Sequence, residues 1–148
     1  MKKKIIMVVE DDELDVMSVR RSLNTLDLPY ELYTAFNGIE ALELLRGAAA
    51  KPAMDFLPDI LLLDLNMPRM NGLEFLTVIR ADDRLKSIPV YIMTTSGEQT
   101  DRAATDRLGV SGYLIKPMGY ASGHKRVDSM EHFVQFYLRK LMTGGEDN

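Results

Sequence analysis
The sequence predicts an α/β protein built on a doubly wound, five-stranded parallel sheet, a (βα)5 arrangement. Two observations predict it. Five short apolar runs alternate with segments whose apolar residues recur at helical spacing, the pattern of successive βα units. One of those runs, Ile60-Leu61-Leu62-Leu63, is unbroken by any polar residue, as in a central strand buried on both faces. Right-handed crossovers then distribute helices over both sides of the sheet.

Lys4 to Val9 reads as the first strand, running into Glu10-Asp11-Asp12-Glu13. A helix from Asp15 to Leu26 follows, with Val16, Val19, Leu23 and Leu26 at helical spacing. Asp27-Leu28-Pro29 breaks it, and Glu31 to Phe36 alternates as a second strand. Asn37-Gly38 turns the chain into a helix carrying Ile39, Leu42 and Leu45 and ending at Gly47. After the proline-bearing loop Ala48 to Pro58 comes the strand that stops at Asp64. Met67-Pro68 and Asn71-Gly72 mark the loop beyond it.

Leu73, Leu76, Val78 and Ile79 define a third helix, closed near Ala81. Ile88 to Met93 is the fourth strand, with its proline near the start where a missing N–H is tolerated, and it ends in Thr94-Thr95-Ser96-Gly97. A polar helix from about Glu98 to Leu108 has Gly109 as its cap. Gly112 to Ile115 is a short fifth strand ending at Lys116-Pro117. Met118 to Arg126 is loose. Met130, Phe133, Val134, Tyr137, Leu138 and Leu141 then form the apolar face of a last helix, before a tail over residues 143–148.

With 148 residues the chain is expected to be one domain, its core over about 4–142. The longest apolar runs are four or five residues, too short to cross a bilayer. Lys2 to Lys4 and the apolar stretch after them fail as a signal peptide, because that stretch runs straight into acidic residues. No cysteine is present, which excludes disulfides, thiolate metal sites and a thiol nucleophile and fits a cytoplasmic protein. A net charge of −4 argues against a nucleic-acid binder, which would show a basic face.

In a parallel sheet every strand ends on the same side, so strand ends are candidate neighbours. The first strand delivers Glu10 and Asp11, the third Asp64, the fourth Thr94 and the fifth Lys116. Three carboxylates repel one another, each like-charge pair at ~4 Å costing on the order of 1 kcal/mol in water and ~4 kcal/mol at an effective dielectric of 20. One lysine leaves an acidic excess. A hard divalent cation such as Mg2+, with Asp11 and Asp64 as ligands, Glu10 directly or through water, and the backbone carbonyl of Asn66, is the natural complement. That inventory suits phosphoryl chemistry. No G-x-x-x-x-G-K-[ST] or G-x-G-x-x-G loop offers a nucleotide site. Asp64 itself is then the candidate acceptor, since a carboxylate can form an aspartyl-phosphate.

Glu10-Asp11, Asp64-Leu65-Asn66-Met67-Pro68 with Gly72, Thr94 and Lys116-Pro117 together resemble the response-regulator receiver domain, CheY-like and flavodoxin-like in fold, over residues 4 to 142. The resemblance implies that Asp64 is phosphorylated by a sensor histidine kinase, with Glu10 and Asp11 as the Mg2+ pocket and Asn66 as a backbone ligand. It implies that Lys116 pairs with phosphoryl oxygens, that Thr94 is a switch hydroxyl followed by Tyr113, and that a cis peptide precedes Pro117. It implies too that Asn66 and Ser96 tune phosphate loss. Two departures stand out, the segment Met118 to Arg126 before the last helix and the long loop Ala48 to Pro58. That loop, Thr94-Thr95-Ser96 and the lack of an output domain are similar to single-domain regulators paired with bacterial phytochrome kinases.

Asp12, Glu13 and Asp15 read as acids suiting the positive end of a helix. His124 and His132 read as surface residues, and the ten methionines as soft core packing. Phe136, off the apolar face of the last helix, predicts a homodimer through that helix and the surface of the fourth helix and fifth strand. Two other classes compete. A Mg2+-dependent aspartyl-phosphate phosphatase of the haloacid dehalogenase type wants an acid two residues after its nucleophile, where Asn66 stands. A relay intermediate or pure interaction module is the other.

Overall fold
The computed structural model describes residues 3–25, 29–47, 57–94, 102–115 and 139–142. Along the chain run β1 (Lys4–Val9), α1 (Glu13–Asn24), β2 (Tyr30–Ala35), α2 (Gly38–Arg46), β3 (Ile60–Asp64), α3 (Gly72–Arg80), β4 (Val90–Thr94), α4 (Arg102–Arg107), β5 (Gly112–Ile115) and α5 (Arg139–Met142). The strands form one parallel sheet in the order β2-β1-β3-β4-β5. This is the doubly wound, flavodoxin-like order. The chain winds outward from β1 to β2, then crosses back to β3 and continues the other way, so the winding reverses between β1 and β3. Such a reversal opens a crevice beyond the carboxyl ends of the two strands, where ligands bind in folds of this kind.

Strand alternation sorts the core into two layers. Ile6, Val8, Ile60, Leu62, Met93 and Leu114 point to one side and pack with Val16, Val19 and Leu23 of α1. Met7, Val9, Leu61, Leu63, Val90 and Ile92 point to the other, against Ala41 and Leu45 of α2 and Phe75, Leu76 and Ile79 of α3. Every residue of β3 is buried, which is why its sequence carries no polar alternation. Removing one such leucine from water is worth about 1.5–3 kcal/mol. Met7, Met67 and Met93 are buried, as soft packing predicts, whereas Met17 is exposed.

Several boundaries move from their sequence positions; α1 ends at Asn24 rather than Leu26, and the second strand ends at Ala35 rather than Phe36. Helix α1 starts at Glu13 rather than Asp15, because Asp12 is the cap, its carboxylate accepting from the N–H groups of Leu14 and Asp15. The second strand starts one residue earlier, in register with Lys4. The fourth starts at Val90 rather than Ile88, because the Ile88 N–H closes a turn onto the Leu85 carbonyl and Pro89 has no N–H to give. Helix α2 is capped by Asn37 and stops at Gly47, whose φ of 92° favours glycine. On α3 the fully buried side chains are Phe75, Leu76 and Ile79, with Val78 half-buried at the flank. The loop over 48–56, the start of the fourth helix, the insertion Met118 to Arg126 and most of the last helix lie outside the described residues.

Candidate functional site
The crevice at the reversal is where the acids meet. Glu10 follows β1, and its N–H extends the ladder by donating to the Ala35 carbonyl at 2.9 Å. Its side chain is fully buried, and Oε2 accepts from the Asp12 N–H at 3.1 Å. Asp11 is exposed at the rim. Asp64 ends the central strand at 2% exposure, and its Oδ1 accepts from the Asn66 N–H at 3.2 Å. Carboxylate oxygens of Glu10, Asp11 and Asp64 all lie within 4.8 Å of one another. Strand-end placement thus brings these three carboxylates together.

Three hard oxygen donors at that spacing, two of them buried, fit a divalent cation. At such separations each like-charge pair costs on the order of 1–4 kcal/mol depending on the local dielectric, so a doubly charged ion relieves more than a lysine does. Asp11 lies on the open side of the cluster. The chemistry of the donor set, all carboxylate and no nitrogen or sulfur, favours a hard ion of the Mg2+ type.

The loop after Asp64 is held from three directions. The Gly72 N–H donates to the Leu65 carbonyl at 3.0 Å, and the Gly38 N–H of α2 donates to the Met70 carbonyl at 3.0 Å. Buried Met67 anchors the middle. Asn71 and Glu74 form a reciprocal capping box that fixes the start of α3. At Gly72 a Cβ would stand 2.5 Å from the Asp64 carbonyl oxygen and 2.6 Å from the Leu65 Cα, both backbone atoms. Only glycine lets α3 begin this close beneath Asp64. Asn66 is exposed on this loop.

Thr94 ends β4 half-buried, in register with Ile115, one rung beyond the pairing of Asp64 with Met93. The hydroxyl thus belongs to the same edge as the acids. Tyr113 sits two rungs back, opposite Ile92. Its hydroxyl is hydrogen-bonded to Thr105 and donates to Asp106 Oδ1 at 2.8 Å, and the Arg102 guanidinium lies 4.0 Å from its ring centroid. Burial pushes the phenol's pKa up and the Asp106 carboxylate adds to that, while the hydrogen bond from Thr105 and the charge of Arg102 pull it down. These three α4 residues carried no sequence signal beyond polarity; only the pairing of α4 with β5 reveals them. Lys116, Pro117 with its expected cis bond, Ser96, His124, His132 and Phe136 lie outside the described residues.

Among the described residues no helix is long and apolar enough to cross a membrane. A family model for the response regulator receiver domain matches residues 6–128. Response regulator Rcp1 of Synechocystis sp. is 34% identical over 130 residues, spanning 88% of this chain and 88% of its own. Two solved structures are similar throughout. The Mn(2+)-bound form of response regulator Rcp1 aligns with a TM-score of 0.75 at 30% identity, covering 91% of this chain and 94% of that one. The phosphorylated cyanobacterial phytochrome response regulator RcpA aligns with a TM-score of 0.78 at 29% identity, covering 98% and 97%.

Proposed function
The chain belongs to the response-regulator receiver family and is a two-component response regulator, and from that premise we propose that Asp64 is its phosphoacceptor. The observation that carries the reading is the trio of carboxylates from two adjacent strand ends, with Asp64 at 2% exposure in its midst. The donor is a sensor histidine kinase. An Asp64 carboxylate oxygen attacks phosphorus, the nitrogen–phosphorus bond of the kinase's phosphohistidine breaks, and its electron pair returns to the imidazole. Burial and the hydrogen bond from the Asn66 N–H to Oδ1 fix the orientation of the Asp64 carboxylate.

Glu10, Asp11, Asp64 and the Asn66 carbonyl would hold Mg2+. A bound Mg2+ supplies charge neutralisation for the acids and for the incoming phosphoryl oxygens. Lys116 pairs with those oxygens, and Thr94 turns toward them, with Tyr113 following. New bonds made in one state only shift a pre-existing equilibrium, and the surface over α4, β5 and the last helix reads the shift out. Asn66 and Ser96 tune the slow, self-catalysed return to the free carboxylate. The protein works in the cytoplasm as a switch, its receiver unit running over about 4–142, and it does not turn over a free substrate.

Similarity over nearly the full length to a phosphorylated phytochrome response regulator supports a phytochrome-class kinase as the donor. The large apolar Phe136, off the apolar face of the last helix in the sequence, is what supports assembly as a homodimer through that helix and the α4–β5 face. Incubation with acetyl phosphate and Mg2+ is expected to add one phosphate, labile to hydroxylamine, and Asp64→Asn is expected to abolish it. Intact-mass measurement decides. Multiple turnover of a generic phosphomonoester would instead identify a phosphatase. Phosphotransfer from a panel of histidine kinases, read by which donor loads the protein fastest, tests the phytochrome pairing, and sedimentation with and without beryllofluoride tests the dimer.

A further inference from the structure
We propose that Arg102, Thr105 and Asp106 of α4 form a clamp that holds Tyr113 away from the acidic edge and so sets how readily Asp64 is loaded. The proposal rests on the reading of Asp64 as acceptor and of Thr94 and Tyr113 as the moving pair. Helix α4 is short and polar, Arg102-Ala103-Ala104-Thr105-Asp106-Arg107, yet Thr105 is fully buried. A buried hydroxyl needs partners. The Thr105 hydroxyl donates to the Tyr113 hydroxyl oxygen, its one proton shared with the Arg102 carbonyl 3.2 Å away. The same phenol donates to Asp106, a bond strengthened by the charge of its acceptor, and the Arg102 guanidinium covers the ring. One aromatic side chain is therefore gripped at its tip by two residues and on its face by a third.

Position makes the grip consequential. Tyr113 is opposite Ile92, whereas Thr94 is opposite Ile115, nearer the acids. Helix α4 runs back from that edge, so Thr105 and Asp106 lie further from it than the helix start. A phenol that follows Thr94 toward the edge leaves both hydrogen bonds behind. The bonds count wholly for the unloaded state, and linkage requires that deleting them raise the affinity for a phosphoryl group by the factor they contributed.

The test is titration of the Mg2+-loaded protein with beryllofluoride, followed by tyrosine resonances. Thr105→Val removes the hydroxyl at nearly constant volume, and Asp106→Ala removes the exposed acceptor. Each is expected to raise beryllofluoride affinity about 5- to 10-fold, the scale of one charge-assisted or buried hydrogen bond. Thr105→Ser keeps the hydroxyl and is expected to titrate as the unsubstituted protein does. In a Tyr113→Phe background neither Thr105→Val nor Asp106→Ala is expected to add anything, which a general loosening of α4 would not reproduce. Uptake of beryllofluoride with equal affinity in all variants, or effects that persist without the phenol, overturns the clamp alone. No uptake by the unsubstituted protein overturns the clamp and the Asp64 reading together.

Discussion
The two edges of the sheet handle charge in opposite ways. At the carboxyl edge, Glu10, Asp11 and Asp64 bring like charges within 4.8 Å of one another. At the amino edge, unlike groups are matched. The Arg80 guanidinium donates to four carbonyls, Leu108 at 2.6 Å, Lys86 at 3.0 Å, Ile88 at 2.9 Å and Gly109 at 3.3 Å. Arg46 meets Asp82 at 3.0 Å, Arg84 donates to the Leu45 carbonyl, and Asp59 accepts from the first strand's Ile5 N–H. The difference teaches a division of labour. One rim ties helices and turns together, and the other concentrates repulsion that a cation can relieve.

Substitutions that separate the two rims should therefore diverge. Arg80→Met deletes four hydrogen bonds from a charged donor and is expected to cost about 3 kcal/mol of unfolding free energy in urea while leaving Mg2+ affinity unchanged. A fall in Mg2+ affinity as large as the loss of stability would break the division. At the other rim, Mg2+ at about 100 times its dissociation constant is expected to stabilise the protein by ~2.7 kcal/mol, and Asp11→Asn to lose most of that gain, as calorimetric melting would show. Without Mg2+, Asp64→Asn is expected to raise stability by about 1 kcal/mol, since it removes one member of a repelling trio.

The smallest effect belongs to Asp82. Its carboxyl is held below the ordinary range, first by the Arg84 N–H, against an opposing push from burial, and then by the hydrogen bond and charge of Arg46. A depressed folded-state pKa gives stability that is full above the unfolded value of ~3.9 and is lost as pH falls through the folded one. Asp82→Asn should thus be slightly less stable than the parent at neutral pH, with the gap closing in acid. Urea midpoints across that range would show it.

Much of the acidic rim was legible because a parallel sheet turns sequence position into spatial position. Asp64 was recognisable from the four apolar residues before it, and Glu10 and Asp11 from the five before them. The amino rim was not legible. Arg80 looks like any basic residue in a last helical turn, and its carbonyl partners lie up to 29 positions away. The α1 start moved for a local reason, since Asp12 and Glu13 read as helix-start acids without saying which of them, or of Asp15, is the cap, and it is the Asp12 carboxylate that closes the first turn. Phe75 escaped the face drawn from Leu73, Leu76, Val78 and Ile79, because the true inward stripe of α3 passes through positions 72, 75, 76 and 79. Side-chain grips such as Thr105 on Tyr113 depend on how one helix leans on one strand, and no periodicity encodes that.

The bare Cα at position 72 has a mechanical consequence. With no side chain to act as a cushion, the first turn of α3 abuts the peptide that carries Asp64, and there is almost no play between them. A tilt of that helix is passed on as a shift of the main chain beneath the carboxylate. A force applied to α3 far from the acids would thereby reach the carboxylate proposed as the phosphoacceptor.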